Sequence, residues 1–224
     1  MTTIEELKPI IENFRKNWTT KNGHILSLTE NQNIKNIDDV YRAACQKAHA
    51  PSVLRALTYP QDISSKVRNE LKEDVLFYLE NRLNKLFKRT DLDFCSFDNW
   101  EKDTVSHIVK MYKDKNIDQY TYGNGQKLVN MAIKFVLSSN LVKYDHPVFK
   151  YCHIPVDGII QKIAKEKLEV ELLHQNGAEQ KTYSSWSKND CRNDFLDYQK
   201  RIRESTQKQN YYSPLIWEIK NWRP

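Results

Sequence analysis

The sequence predicts an all-α protein, and three observations carry that expectation. Glycine and proline are scarce, 5 and 7 in 224 residues, whereas sheets joined by tight turns use more glycine. The composition, rich in Leu, Lys, Glu and Gln, leans towards helix. Apolar residues recur every three or four positions in most segments, the period of one helical face. The length suits one compact unit over 1–224, expected as a two-lobed helical bundle with a cleft between the lobes.

The elements follow in order. Ile4, Leu7, Ile10, Ile11 and Phe14 place a helix over 4–17, and Val40, Tyr41, Ala44 and Ala48 a shorter one over 37–49. The clearest runs over 64–88. There Val67, Leu71, Val75, Leu79, Leu83 and Leu86 form the apolar stripe, while Glu70, Lys72, Glu73, Glu80, Arg82 and Lys85 face away. Asp98 with Glu101 three residues on reads as a capping box. It would open a helix carrying Trp100, Val105, Ile108, Met111 and Tyr112 on its apolar side. After Asp114-Lys115-Asn116 comes Tyr122-Gly123-Asn124-Gly125, then a helix from Gln126 to Leu137. Residues 138–153 read as irregular, and Ile154-Pro155-Val156-Asp157 leads into another helix. Residues 174–182 read as a loop, and helices over 189–207 and 213–222 follow, the last with Pro214 in its first turn.

Composition narrows the function classes. No run approaches the roughly 18 apolar residues of a membrane-spanning helix. Met1-Thr2-Thr3-Ile4-Glu5-Glu6 has neither the basic nor the apolar part of a secretory signal. A cytoplasmic protein is expected. Its formal charge is +6, from 35 basic and 29 acidic residues, a lean towards polyanions. Residues 181–224 interleave basic side chains with Tyr183, Trp186, Tyr198, Tyr211, Tyr212, Trp217 and Trp222. That mixture suits a nucleic-acid surface and equally an amphipathic helical lobe with its rings in the core. Cys45, Cys95, Cys152 and Cys191 form no Cys-x-x-Cys pair, and the histidines lack ligand spacing, so neither metal nor cofactor is expected.

Two of the five glycines, Gly123 and Gly125, lie between two expected helices. Glycine allows close backbone approach, and the N–H groups of such a hairpin with the next helix N-terminus form an anion cradle. Lys127 then falls in the first helical turn, where positive charge is unfavourable and the neutral amine of a nucleophile is favoured. Thirty residues on, Asp157 follows Ile154-Pro155-Val156 and opens a helix. It is placed either to cap that helix or to face Lys127 across a cleft.

Gly123-Asn124-Gly125-Gln126-Lys127-Leu128-Val129-Asn130 together with His153-Ile154-Pro155-Val156-Asp157-Gly158-Ile159-Ile160 resembles the helix-hairpin-helix DNA glycosylase superfamily. The local match covers about forty residues, with the helix-hairpin-helix element at about 99–137. The family's Leu-Pro before the first glycine is Thr121-Tyr122 here, and its iron–sulfur cysteine cluster is absent. The resemblance implies a DNA N-glycosylase, with an accompanying lyase step, that flips a damaged or modified base out of double-stranded DNA. A hypermodified base of phage DNA, and hence phage defence, falls within that expectation. Lys127 would attack the sugar C1′ and Asp157 would stabilise the sugar cation. Tyr122, Gly123, Asn124, Gly125 and Gln126 would bind DNA, and Trp100, Trp186 and His153 would supply the base pocket. The protein would act as a monomer, nucleoid-associated through DNA. The competing expectations are a non-catalytic helical DNA-binding module and a helical protein–protein adaptor.

Overall fold

A computed structural model describes residues 4–17, 34–50, 59–172 and 186–222. They form nine α-helices and one 3-10 turn, with no strand among them. The helices are α1 (Ile4–Asn17), α2 (Ile37–Ala48), α3 (Ser65–Phe87), α4 (Phe94–Lys113), α5 (Tyr122–Leu137), α6 (Val148–Tyr151), α7 (Gly158–Leu168), α8 (Arg192–Lys208) and α9 (Pro214–Asn221). The 3-10 turn is Trp186–Lys188. No described helix is long and apolar enough to cross a membrane. The loop expected at 174–182 lies outside the described residues.

Helix α5 is the centre of the fold. Every residue of it except Lys127 is buried, because α2, α4 and the 3-10 turn pack around it. An amphipathic helix buries one stripe; one buried all round is a core helix. Its apolar run Leu128-Val129, Met131-Ala132-Ile133 and Phe135-Val136-Leu137 carries that burial, each large side chain stabilising the fold by about 1.5–3 kcal/mol. Helix α1 packs on α9 with Leu7, Ile11 and Phe14 inward. Its Arg15 also donates to the carbonyls of Leu137 and Val142 at 3.1 and 2.7 Å, which ties α1 to the end of α5.

Two helix starts differ from the sequence reading, and both differences bear on the site. Helix α4 begins at Phe94, because Asp93 and Ser96 form the capping box. Asp98 and Glu101 are thereby released from capping and turn to other partners. Helix α5 begins at Tyr122, capped reciprocally by Thr121 and Asn124. The expected hairpin is therefore a link, 114–121, followed by a helix whose first turn contains both glycines.

The glycines serve packing. A Cβ on Gly123 would stand 1.8 Å from the carbonyl oxygen of Trp186, and one on Gly125 would stand 2.8 Å from Val105 Cγ1. Gly158, by contrast, has nothing within 4 Å of a Cβ position. Gly123→Ala should thus cost about 1–3 kcal/mol through forced displacement of the 186–189 backbone, whereas Gly158→Ala should leave thermal stability nearly unchanged. Paired thermal melts of the two variants check this, and equal losses would remove the packing explanation.

Candidate active site

Four segments converge on Lys127 and Asp157. Helix α5 contributes Lys127, and Asp157 is the N-cap of α7. Asp157 Oδ1 accepts from the N–H groups of Ile159 and Ile160 at 3.0 and 2.9 Å. Its Oδ2 is left for Lys127 Nζ at 3.1 Å. The two side chains are 13% and 19% exposed, so the ion pair is sheltered yet reachable. Trp186 lies against the ammonium, its ring centroid 4.5 Å from Nζ, a cation–π contact. The pairing of these two residues across thirty positions is what the sequence reading required of a reactive site.

The strap that carries Asp157, residues 152–157, is neither helix nor strand, yet 152–156 are buried. Buried backbone needs partners, and two glutamines supply them. Gln126 accepts from Val156 N–H at 3.1 Å and donates to Val156 O at 2.9 Å. Gln199 of α8 accepts from Ile154 N–H at 3.2 Å and donates to Ile154 O at 2.7 Å. A primary amide offers one donor and one acceptor side by side, the same pattern a neighbouring strand would present.

The expectation that Tyr122, Gly123, Asn124, Gly125 and Gln126 grip a phosphate is corrected by these bonds. Tyr122 N–H donates to Asp190 Oδ1 at 2.8 Å and Gly123 N–H to Asn189 O at 3.0 Å. Asn124 and Gly125 N–H both donate to Thr121, to its Oγ1 at 3.3 Å and its carbonyl at 3.2 Å. Gln126 is 1% exposed and committed to the strap. The first turn of α5 faces the 186–190 segment, so its amides are satisfied internally. The helix-field argument for Lys127 changes as well. With α5 starting at Tyr122, Lys127 lies in the second turn, and that field fades within the first. Asp157 dominates its surroundings instead.

Of the three expected pocket residues, Trp186 reaches the site. Trp100 and His153 join a second polar group around Phe97, with ring centroids 5.7 and 5.2 Å from it. Arg82 lies over the Trp100 ring. His153 Nε2 stands 2.8 Å from Asp98 Oδ1 and 3.1 Å from Arg203 Nη2. Arg203 also holds both Asp98 oxygens. Glu101, 2% exposed, accepts from Tyr122 OH at 3.1 Å and Asn130 Nδ2 at 3.2 Å. Burial, then Glu101, push the Tyr122 phenol well above its ordinary value, so it stays a donor.

One pair escaped the sequence reading. Lys134 lies two turns below Lys127 on the same face of α5 and binds Glu218 Oε1 of α9 at 2.8 Å, with both side chains 2% exposed. Glu218 Oε2 has no hydrogen-bond partner among the described residues. Lys134 also sits 4.8 Å from the Trp222 ring centroid. Burial lifts the Glu218 carboxyl above its usual range against the pull of Lys134, and Asp157 and Lys127 are close enough to act on it as well. A lysine inside Met131-Ala132-Ile133-Lys134-Phe135-Val136-Leu137 was the available signal.

No group of three or more His, Cys, Asp or Glu side chains among the described residues is arranged to hold a metal ion. Comparison with protein-family models, with curated proteins and with solved structures finds no match to this chain.

Proposed function

We propose that the protein is a DNA N-glycosylase with an accompanying lyase step, working at the Lys127–Asp157 pair. The 3.1 Å contact between these groups carries the reading. It supplies an amine and a carboxylate at one accessible point, which is what attack on a sugar C1′ with cation stabilisation needs. Duplex DNA is held by its phosphates on a basic face in a cleft between two lobes. The target nucleotide is rotated out of the stack, since the glycosidic bond is unreachable inside the duplex.

The chemistry balances within this pair. As the C1′–N bond breaks, its electrons leave with the base, and Asp157 stabilises the positive charge growing on the sugar. The Lys127 ammonium passes a proton to the departing base, directly or through Asp157. The neutral amine then bonds to C1′, and one of its protons passes through Asp157 to the ring O4′ as the C1′–O4′ bond breaks, which gives the Schiff base. Asp157 then takes a C2′ proton and the C3′–O bond breaks, releasing the 3′ phosphate. Beneath this pair, Lys134 and Glu218 are 2% exposed and closed to a base. They act on the site through their charge, since Glu218 is close enough to feel Asp157 and Lys127.

The test is release of free base from a panel of duplexes carrying oxidised, deaminated, alkylated and hypermodified bases. Asp157→Asn should lower release by about 100-fold or more while DNA binding and folding persist, because asparagine caps helices as well as aspartate does. DNA binding without release from any duplex would make the protein a non-catalytic DNA-binding module. Absence of binding even at low salt, where phosphate attraction is strongest, would favour the adaptor.

A further inference from the structure

We propose that His153 is a positioning residue for Asp157, fixing one end of the strap whose other end carries the reactive carboxylate. The activity arm of this inference rests on the glycosylase reading; its structural arm does not.

Three attachments hold the strap between α6 and α7. The two glutamines grip Ile154 and Val156 from α8 and α5. His153 joins the strap to α4 and α8 together, through Asp98 at 2.8 Å and Arg203 at 3.1 Å. It is the attachment built from charge. The imidazole is 1% exposed and Arg203 11%, with Asp98 at 32%. Glu101 Oε1 lies 3.8 Å from Nδ1, too long for a hydrogen bond but close enough for attraction. Two carboxylates thus face one imidazole and one guanidinium. Buried charges of this kind add little to stability that apolar side chains would not match. What they add is direction, and direction matters four residues from a carboxylate that must stand 3.1 Å from an amine.

The ionisation state agrees with this geometry. Burial opposes the charged imidazole, but the Asp98 hydrogen bond and the negative charge of Glu101 outweigh it and hold His153 above its ordinary value. Burial likewise opposes the Asp98 carboxylate, yet His153 and Arg203 hold it below its own. The groups facing His153 are Asp98 and Glu101 from α4 and Arg203 from α8, while Tyr122 and Asn130 of α5 occupy Glu101. A histidine raised by folding contributes its full stabilisation below the ordinary histidine range and loses it as pH rises through the raised value. The anchor therefore keeps its charge to a higher pH than an ordinary imidazole and is released on the alkaline side of its raised value.

The experiment compares the full chain with His153→Ala, His153→Gln and Asp98→Asn. It follows hydrogen exchange at the Ile159 and Ile160 amides, which Asp157 caps, and base release across pH. In His153→Ala the two amides should exchange about tenfold faster. Release should fall on the order of 100-fold in kcat, the cost of a small misplacement, with KM for DNA unchanged. Added imidazole should restore part of both, and His153→Gln should lose the alkaline fall of the wild-type profile. A folded His153→Ala variant with unchanged exchange at 159 and 160 overturns the proposal, as does a change confined to KM. Failure of both His153 variants to fold would make the residue part of the folding core and overturns it too. If the wild type releases no base from any duplex, the glycosylase reading fails, and the exchange measurement alone decides the positioning role.

Discussion

Lys127→Gln should abolish borohydride trapping of the protein on abasic DNA and lower base release by on the order of a thousandfold or more. Trapping requires a Schiff base, and an amide cannot form one. Glutamine keeps a stem to lie against Trp186 and can still hydrogen-bond Asp157, so the variant should melt within a few degrees of the wild type. That matters because α5 is otherwise buried throughout, and a disruptive change in it would lose activity through unfolding. The measurement is a denaturing gel of protein and labelled DNA after reduction, alongside a thermal melt. A trap that forms undiminished in the folded variant places the nucleophile elsewhere.

The second large effect concerns the pair beneath. Lys134→Met leaves Glu218 buried at 2% exposure with its principal partner gone. Removing one member of a buried ion pair costs about 3–5 kcal/mol, which at this chain length lowers the melting temperature by roughly 10 °C or more. The double variant Lys134→Met, Glu218→Leu should recover most of that loss, since apolar replacements of buried pairs are often neutral. Stability and function are thereby separated. If the charges of the pair tune the Lys127–Asp157 site above them, the recovered double variant still excises poorly. Full excision by a stable double variant would reduce the pair to a structural role. Denaturant unfolding and base-release rates on the same preparations decide between the two.

How much of this was legible in the sequence depends on the range of the interaction. The helices over 4–17, 37–49 and 64–88 match α1, α2 and α3 to within a residue, because apolar periodicity is local. The start of α4 was misplaced because two capping boxes competed. Asp93 with Ser96 satisfies the amides at the helix start, and nothing local shows that Asp98 is needed by His153 and Arg203. The glycines read as a hairpin because glycine allows positive φ and close backbone approach. Their actual reason, the Trp186 carbonyl and Val105 methyl beside them, lies in distant segments. Lys127 and Asp157 stand out by motif, whereas Lys134 shows only as a lysine within an apolar run, and its partner Glu218 lies 84 residues away.

The span of those contacts has a consequence for biosynthesis. A ribosome that has released residues up to about 160 has delivered Lys127 and Asp157 but not Gln199, which braces the strap, nor Trp186, nor Glu218. At that stage the strap has one of its two amide braces, and Lys134 lacks the Glu218 carboxylate. Pairings of such long sequence separation close late. The nascent chain therefore carries Lys127 and Asp157 for some time without the framework that sets their geometry, which is complete only as its last helices dock.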